Sequence, residues 1–360
     1  MAEEPLSGVR VVEVAGALTG YAGRLLADLG ASVTRVALSP AAAAATGVPA
    51  APLGPDGPDA AALFFHRGKE EALLDREGLE ALAASADVLL ESAEGDAERC
   101  DAAGLRERNP RLVHAVVSPF GLEGPRARDA STDLVRLAAG GLLWLGGYPD
   151  AGPVAPFGAQ STFAGGIYAA VAVLLALLER ETTGRGRFLD VSVQEAITQA
   201  LETSLADVEL TGRVRVRAGD VPREAGTGVY PCADGYVSMV AGRLGTAPAW
   251  RRLREWLVEV GTPGAEELLG EEWESLAFRQ RPEAVARFGE LFGAFAAVRS
   301  KRELYAEAQA RNIPLAPVNT LAEVLADPQL AARRFFRDEG GVTLPLPPFR
   351  LTGATVATPA

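Results

Sequence analysis

Cysteine and histidine are nearly missing from these 360 residues, two of each, and the scarcity closes off whole classes of chemistry. Cys100 and Cys232 sit in no CxxC or metal-type spacing, so neither a disulfide framework nor a zinc site can be read from them. With His66 and His114 as the only histidines, the composition argues strongly against a histidine-rich metal site as well. Positive charge is also short. The formal net charge of −12 sets the global field against nucleic acid and anionic membrane, so an anionic ligand must be held by a local patch. The opening MAEEPLSGVR is acidic and has no apolar h-region, which argues against a signal peptide. The longest uncharged apolar stretch, FAGGIYAAVAVLLALL, falls short of the roughly 20 residues that span a bilayer. Its small residues predict a helix buried on all sides, and the expected protein is soluble and cytoplasmic.

Apolar residues are plentiful, 48% of the chain, enough for a substantial core and for two domains. VRVVEVA, the turn GALTG, the helical YAGRLLADLGA and the strand SVTRVAL form a β-turn-α-β unit, the opening of a doubly wound sheet. The turn is not GxGxxG, and Ala37-Leu38 stand where a ribose-binding acid would follow the second strand, so a nicotinamide dinucleotide is weakly supported. Residues 40–62 are Ala/Pro/Gly-rich and read as a surface loop. REGLEALAASA reads as a helix, and DVLLES, RLVHAVVSPF and FLDVSV as further strands, an α/β alternation. Composition changes near residue 213. A glycine-bearing loop there precedes two strands around an Asp234-Gly235 hairpin turn, and amphipathic helices run from Trp250 to about Leu325. The proline-bearing tail reads as β and could join an existing edge. The expected division is 1–212, 213–325 and a segment 326–360 returning to the first domain.

Several stretches in order, among them PLSGVRVVEVAGALTGYAGRLLADLGASVTRV, FFHRGKEEALLD, NPRLVHAVVSPFGLEGP, STDLVRLAAGGLLWLGG, GGIYAAVAVLLALLERETTGRGRFLDVSVQEA and GVYPCADGYVSM, resemble the family III CoA-transferases of the formyl-CoA and carnitine-CoA type. The resemblance covers nearly the whole chain. It implies an α/β fold with a Rossmann-like, doubly wound large domain, a smaller α+β domain, and an interlocked-ring homodimer. It also implies a mechanism with coenzyme A entering as an acyl-CoA substrate and no metal. A carboxylate at the start of DLVRLAAGG attacks the acyl-CoA, an aspartyl-CoA thioester follows, and an acceptor carboxylic acid takes the CoA onward. The matching residue is Asp133. A carboxylate becomes an effective nucleophile when held against a thioester with water excluded, and glycine-loop amides suit the oxyanion. The resemblance places that loop at Gly226 and Gly228.

For Asp133 the competing role is a helix cap, since Asp, Ser and Thr are favoured there; the two are compatible, because a helix N-terminus favours the ionised carboxylate. The backbone of Gly16, Ala17 and Leu18 suits close approach to a ligand or to a neighbouring element. Arg67 and Lys69 match a basic segment near the CoA nucleotide, Arg35 is the cation at the end of the second strand, and Arg99 stands in for a phosphate-binding arginine. Ala37, Leu38 and Glu70 occupy places that usually support the nucleotide. Each charge-assisted phosphate contact is worth about 1.5–3 kcal/mol, so the alternative is a diverged member running a CoA-independent acyl transfer, elimination or cyclisation. Trp144 and Tyr148 are candidates for an acyl pocket or, for Trp144, for the core. Thr132 and Gln160 stand where racemases of the family resemblance carry a histidine and an acid, which argues against racemisation.

Overall fold

The computed structural model describes residues 4–43, 59–94, 99–201, 203–219, 222–243, 247–339 and 341–351. The chain forms two compact units, one from Met1–Arg217 with Arg337–Ala360 and one from Ala218–Phe336. In the first unit, strands β1 (Arg10–Val14), β2 (Ser32–Ala37), β3 (Lys69–Leu73), β4 (Val88–Ser92), β5 (Val113–Ser118) and β6 (Phe188–Ser192) make a mixed α/β fold around a parallel sheet. Their order is β3-β2-β1-β4-β5-β6. The Val/Leu-rich β1, β2, β4 and β5 have the near-continuous apolar character of strands covered on both faces. The order reverses between β1 and β4, which opens a crevice at the carboxyl ends of those two strands.

Edge strand β3 was not expected, because KEEAL has neither apolar alternation nor β-branching. Charge holds it instead. Glu13, Arg35 and Glu71 are in register across β1, β2 and β3. Arg35 Nη1 reaches Glu71 at 2.9 Å and Lys69 Nζ reaches Glu13 at 2.6 Å. The carboxylate of Glu13 lies where Gly23 of the helix Gly20–Ala27 has no side chain; a Cβ there would stand 1.7 Å from Glu13 Oε2.

The helix Gln160–Thr183 is 24 residues long, longer than the apolar run suggested, and long and apolar enough to cross a membrane. It is not buried on all sides. Gly165 and Gly166 let it close on Val193 and Tyr21, where added Cβ atoms would meet neighbours at 2.7 and 2.8 Å. Ile167, Val171, Leu175 and Leu178, spaced at helical intervals, face outward and exposed. It is a core helix with one face uncovered.

Of the expected loop 40–62, residues 44–58 lie outside the described residues; Pro40–Ala43 and Ala60–His66 are helical. In the second unit β7 (Thr227–Cys232), β8 (Gly235–Val240) and β9 (Leu315–Pro317) form an antiparallel sheet. The hairpin turn is Ala233-Asp234, one residue earlier than the sequence suggested. Helices Ala247–Glu259, Pro282–Ala296 and Lys301–Ala310 accompany it, with Trp250, Trp256, Phe288 and Phe292 in the core. The tail strands β10 (Phe336–Glu339) and β11 (Val342–Pro345) pair with each other rather than with an existing edge.

Candidate active site

Asp133 is the first residue of the short helix Asp133–Ala139, but it does not cap that helix. Thr132 does, its hydroxyl accepting from the N–H of Val135 at 3.4 Å. The half-buried carboxylate of Asp133 turns instead to the start of the helix Gln160–Thr183. There Oδ1 accepts the main-chain N–H of Ser161 at 2.9 Å and its hydroxyl at 2.6 Å. That N–H belongs to the first turn, which has no partner within its own helix, and no side chain of the preceding Ala159 competes for it. The capping role therefore survives in part, on a different helix.

Behind this pair lies a second layer that sequence reasoning missed. Arg136, one turn after Asp133, is buried and donates from Nε to Ser161 Oγ at 2.8 Å, from Nη1 to Ser131 Oγ at 3.0 Å and from Nη2 to Thr162 Oγ1 at 3.4 Å. Glu94, just beyond β4, pairs with its Nη1 at 3.5 Å. Burial pushes the Arg136 guanidinium down, with Glu94 and Asp133 pulling it back up. Burial likewise pushes the Glu94 carboxyl up, offset in part by Arg136 and by the N–H of Ala17. Asp133, Ser161, Arg136, Glu94 and Ala17 thus form one connected chain. It ends at the loops after β1 and β4, the crevice where the strand order reverses. The only sequence signal was a lone arginine, three residues from Asp133, in an otherwise apolar helix.

The glycine turn after β1 has a local reason for its composition: a Cβ on Gly16 would come within 2.6 Å of Ser92 Cβ. Leu18 is a fully buried core residue, main chain included, whereas Gly16 and Ala17 before it are partly exposed, so only those two of the three offer main chain to a ligand. Three of the four expected nucleotide cations are tied into the fold. Arg35 binds Glu71 and the carbonyl of Ala42, Lys69 binds Glu13 and the carbonyl of Gly20, and Arg67 binds Asp28 at 2.8 Å and Glu339 at 3.6 Å. Burial pushes the Lys69 ammonium down, with Glu13 pulling it back up. Arg99 is exposed, as is Glu70 on β3.

In the second unit Gly226 has φ +84° and its absent Cβ leaves room for the Trp250 ring, which would be 2.9 Å away. Gly228, at φ +154°, sits equally close to Pro222. Both glycines are required by the local backbone. Trp144 is half-exposed rather than in the core, donating to the carbonyl of Arg215 at 2.8 Å under the guanidinium of Arg217. Tyr148 is half-exposed too, its carbonyl accepting from Arg217 at 3.1 Å. An open depression of about 650 Å³ is lined by Gln194, Glu195, Thr198, Gln199 and Leu205; Asp133 is not among its lining residues.

Comparison with known proteins gives a consistent picture. A model described as CoA-transferase family III matches residues 6–360. A succinyl-CoA:(R)-benzylsuccinate CoA-transferase subunit from Thauera aromatica is 33% identical over 353 residues, 95% of this chain and 85% of that protein. A formyl-CoA:oxalate CoA-transferase from Streptomyces avermitilis is 30% identical, covering 95% of this chain and 86% of its own. Among solved structures, a CAIB/BAIF family protein from Brucella suis gives a TM-score of 0.80 at 27% identity, over 97% of this chain and 93% of that one.

Proposed function

The chain belongs to CoA-transferase family III, and from that premise we propose that it moves CoA between two carboxylic acids through covalent loading of Asp133. As a CoA-transferase it works on CoA thioesters. The observation that carries the covalent step is the carboxylate itself: it is turned away from its own helix and held by a buried serine, which Arg136 and Glu94 link to the loop after β4. A fixed, half-desolvated carboxylate is what attack on a thioester requires.

In this reading Asp133 attacks the acyl carbon, and CoA thiolate leaves and returns to make the aspartyl thioester. Gly226 and Gly228 keep the oxyanion role that the resemblance gives them. The CoA pyrophosphate is held at the Gly16–Ala17 main chain with Arg99, because Arg35, Arg67 and Lys69 already neutralise internal carboxylates. The first donor to try is succinyl-CoA, in keeping with the name of the Thauera relative. The enzyme acts in the cytoplasm as a homodimer, a Rossmann-like large domain carrying the interlocked arrangement.

The test is trapping. Incubation with succinyl-CoA followed by hydroxylamine should leave a hydroxamate mass confined to the peptide holding Asp133, and Asp133→Asn should lose both the mass and about 10⁴-fold or more in kcat. Turnover retained in Asp133→Asn removes the nucleophile. Titration with free CoA separates the alternative: a protein that turns over acyl groups without binding CoA at millimolar concentration runs the CoA-independent chemistry.

A further inference from the structure

The two oxygens of the Asp133 carboxylate are chemically equivalent in water and are not equivalent here. Both donors of Ser161 end on Oδ1, the N–H at 2.9 Å and the hydroxyl at 2.6 Å. Among the described residues no hydrogen bond ends on Oδ2. The direction of the hydroxyl is fixed as well. Ser161 Oγ accepts from Arg136 Nε at 2.8 Å, and a guanidinium cannot accept, so the hydroxyl proton is left for Oδ1. Ser161 and Arg136 are both buried, which strengthens the dipole and charge aimed at that oxygen.

We infer that Ser161 is a catalytic residue, its N–H and O–H forming the oxyanion site for the carbonyl of Asp133 itself and fixing Oδ1 as the oxygen that never leaves the protein. This rests on the nucleophilic role proposed for Asp133.

The bond changes follow. Oδ2 attacks the acyl carbon of the donor; the C–S bond breaks and CoA departs as thiolate with the electron pair. The product is an anhydride bridged by Oδ2, with Oδ1 as the carbonyl oxygen on Cγ. Thiolate then adds to Cγ, and the displaced π pair becomes negative charge on Oδ1, between the two Ser161 donors. Collapse breaks Cγ–Oδ2, the donor acid leaves as carboxylate carrying Oδ2, and Cγ keeps Oδ1 and sulfur. An acceptor carboxylate oxygen adds to Cγ, charge appears on Oδ1 again, and thiolate is expelled. Thiolate finally attacks the acceptor acyl carbon and releases Asp133 with Oδ1 and one oxygen from the acceptor. No external proton or oxidant enters. The glycine loop serves the substrate carbonyl; Ser161 serves the enzyme carbonyl, in the two middle steps.

This assigns a countable outcome. The protein is taken through many turnovers with succinyl-CoA and a large excess of succinate carrying oxygen-18 at every carboxyl oxygen, then digested and the Asp133 peptide weighed. One heavy oxygen, and no second one on longer incubation, is the result expected of anchored Oδ1. Two heavy oxygens in the unmodified enzyme overturn the role of Ser161 while leaving Asp133 as nucleophile. No heavy oxygen removes the nucleophilic reading itself, and this inference with it. Ser161→Ala should take up two heavy oxygens, because the carboxylate is then free to rotate, and should form the aspartyl thioester about 10²-fold more slowly. Ser161→Thr, which keeps the hydroxyl, should restore single labelling. A merely structural serine would alter neither count.

Discussion

At the scale of single residues, charge and space are matched atom by atom. Gly23 exists to admit the Glu13 carboxylate, so Gly23→Ala must either lift the helix or expel the carboxylate from Lys69. A loss of about 1–3 kcal/mol is expected from overpacking alone, read as a lowered urea midpoint at unchanged slope; an unshifted midpoint would mean that the close approach is not maintained. The two thiols offer a second reading. Burial and the neighbouring Glu91 carboxylate push the Cys100 thiol up to about 12, whereas Cys232 is only partly buried. Iodoacetamide at pH 8 should modify Cys232 and spare Cys100 until denaturant is added, and early loss of Cys100 would contradict its burial. Sequence gave access to Asp133 because an acid ahead of an apolar helix is visible in one dimension. Ser161, Arg136 and Glu94 were invisible there, since a serine at a helix start, an arginine in a helix and a glutamate after a strand each read as ordinary until tertiary contact brings them together. The surroundings of the cations were hidden for the same reason in reverse. Arg35, Arg67 and Lys69 looked available only because their internal partners, Glu71, Asp28 and Glu13, were separated from them in the chain.

At the scale of elements, the central strands were legible because a strand covered on both faces must be largely apolar, and β1, β2, β4 and β5 are, with a few charged or polar exceptions such as Glu13, Arg35, Glu91 and His114. β3 was not, because an edge strand held by ion pairs carries no such pattern. The exceptions within the apolar strands are paired across neighbours. On β4 and β5, Glu91 accepts from the N–H of Cys100 at 2.9 Å and lies 2.6 Å from His114 Nε2. Burial alone would push the Glu91 carboxyl up; the His114 contact and the Cys100 N–H outweigh it and hold the group below its usual 4.5. A depressed acid binds fewer protons folded than unfolded, so its contribution is complete above the unfolded value and is lost as pH falls through the native one. Acidification below about 4.5 should therefore steepen the loss of stability by up to about 1.4 kcal/mol per pH unit. Glu91→Gln should remove that share of the slope, seen by comparing urea unfolding of the two proteins from pH 6 downward. Parallel curves would show that the pair contributes nothing to the linkage.

At the scale of the whole molecule, the first unit presents apolar surface that a lone chain would not be expected to leave open. Ile167, Val171, Leu175 and Leu178 form one exposed helical stripe, and Val154, Phe157, Leu205, Leu210, Val214 and Val216 are exposed in the segments before and after that helix. Apolar surface of this extent marks an association site, and it supports the homodimer proposed above. The same helix carries Ser161 at its first turn and the stripe further along, so a partner seated on the stripe would stiffen the element that holds Asp133. The Thauera relative is named as a subunit, which makes a different second chain the competing occupant. Light scattering on the purified chain separates the two. A dimer at micromolar concentration is expected, and Leu175→Glu with Leu178→Glu should convert it to a monomer, because two carboxylates would have to be buried unpaired at the contact. Circular dichroism should show the helices retained, since both positions are exposed in the single chain. A monomeric wild-type chain would instead assign the stripe to a different partner, and a variant that stays dimeric would move the contact elsewhere on the surface.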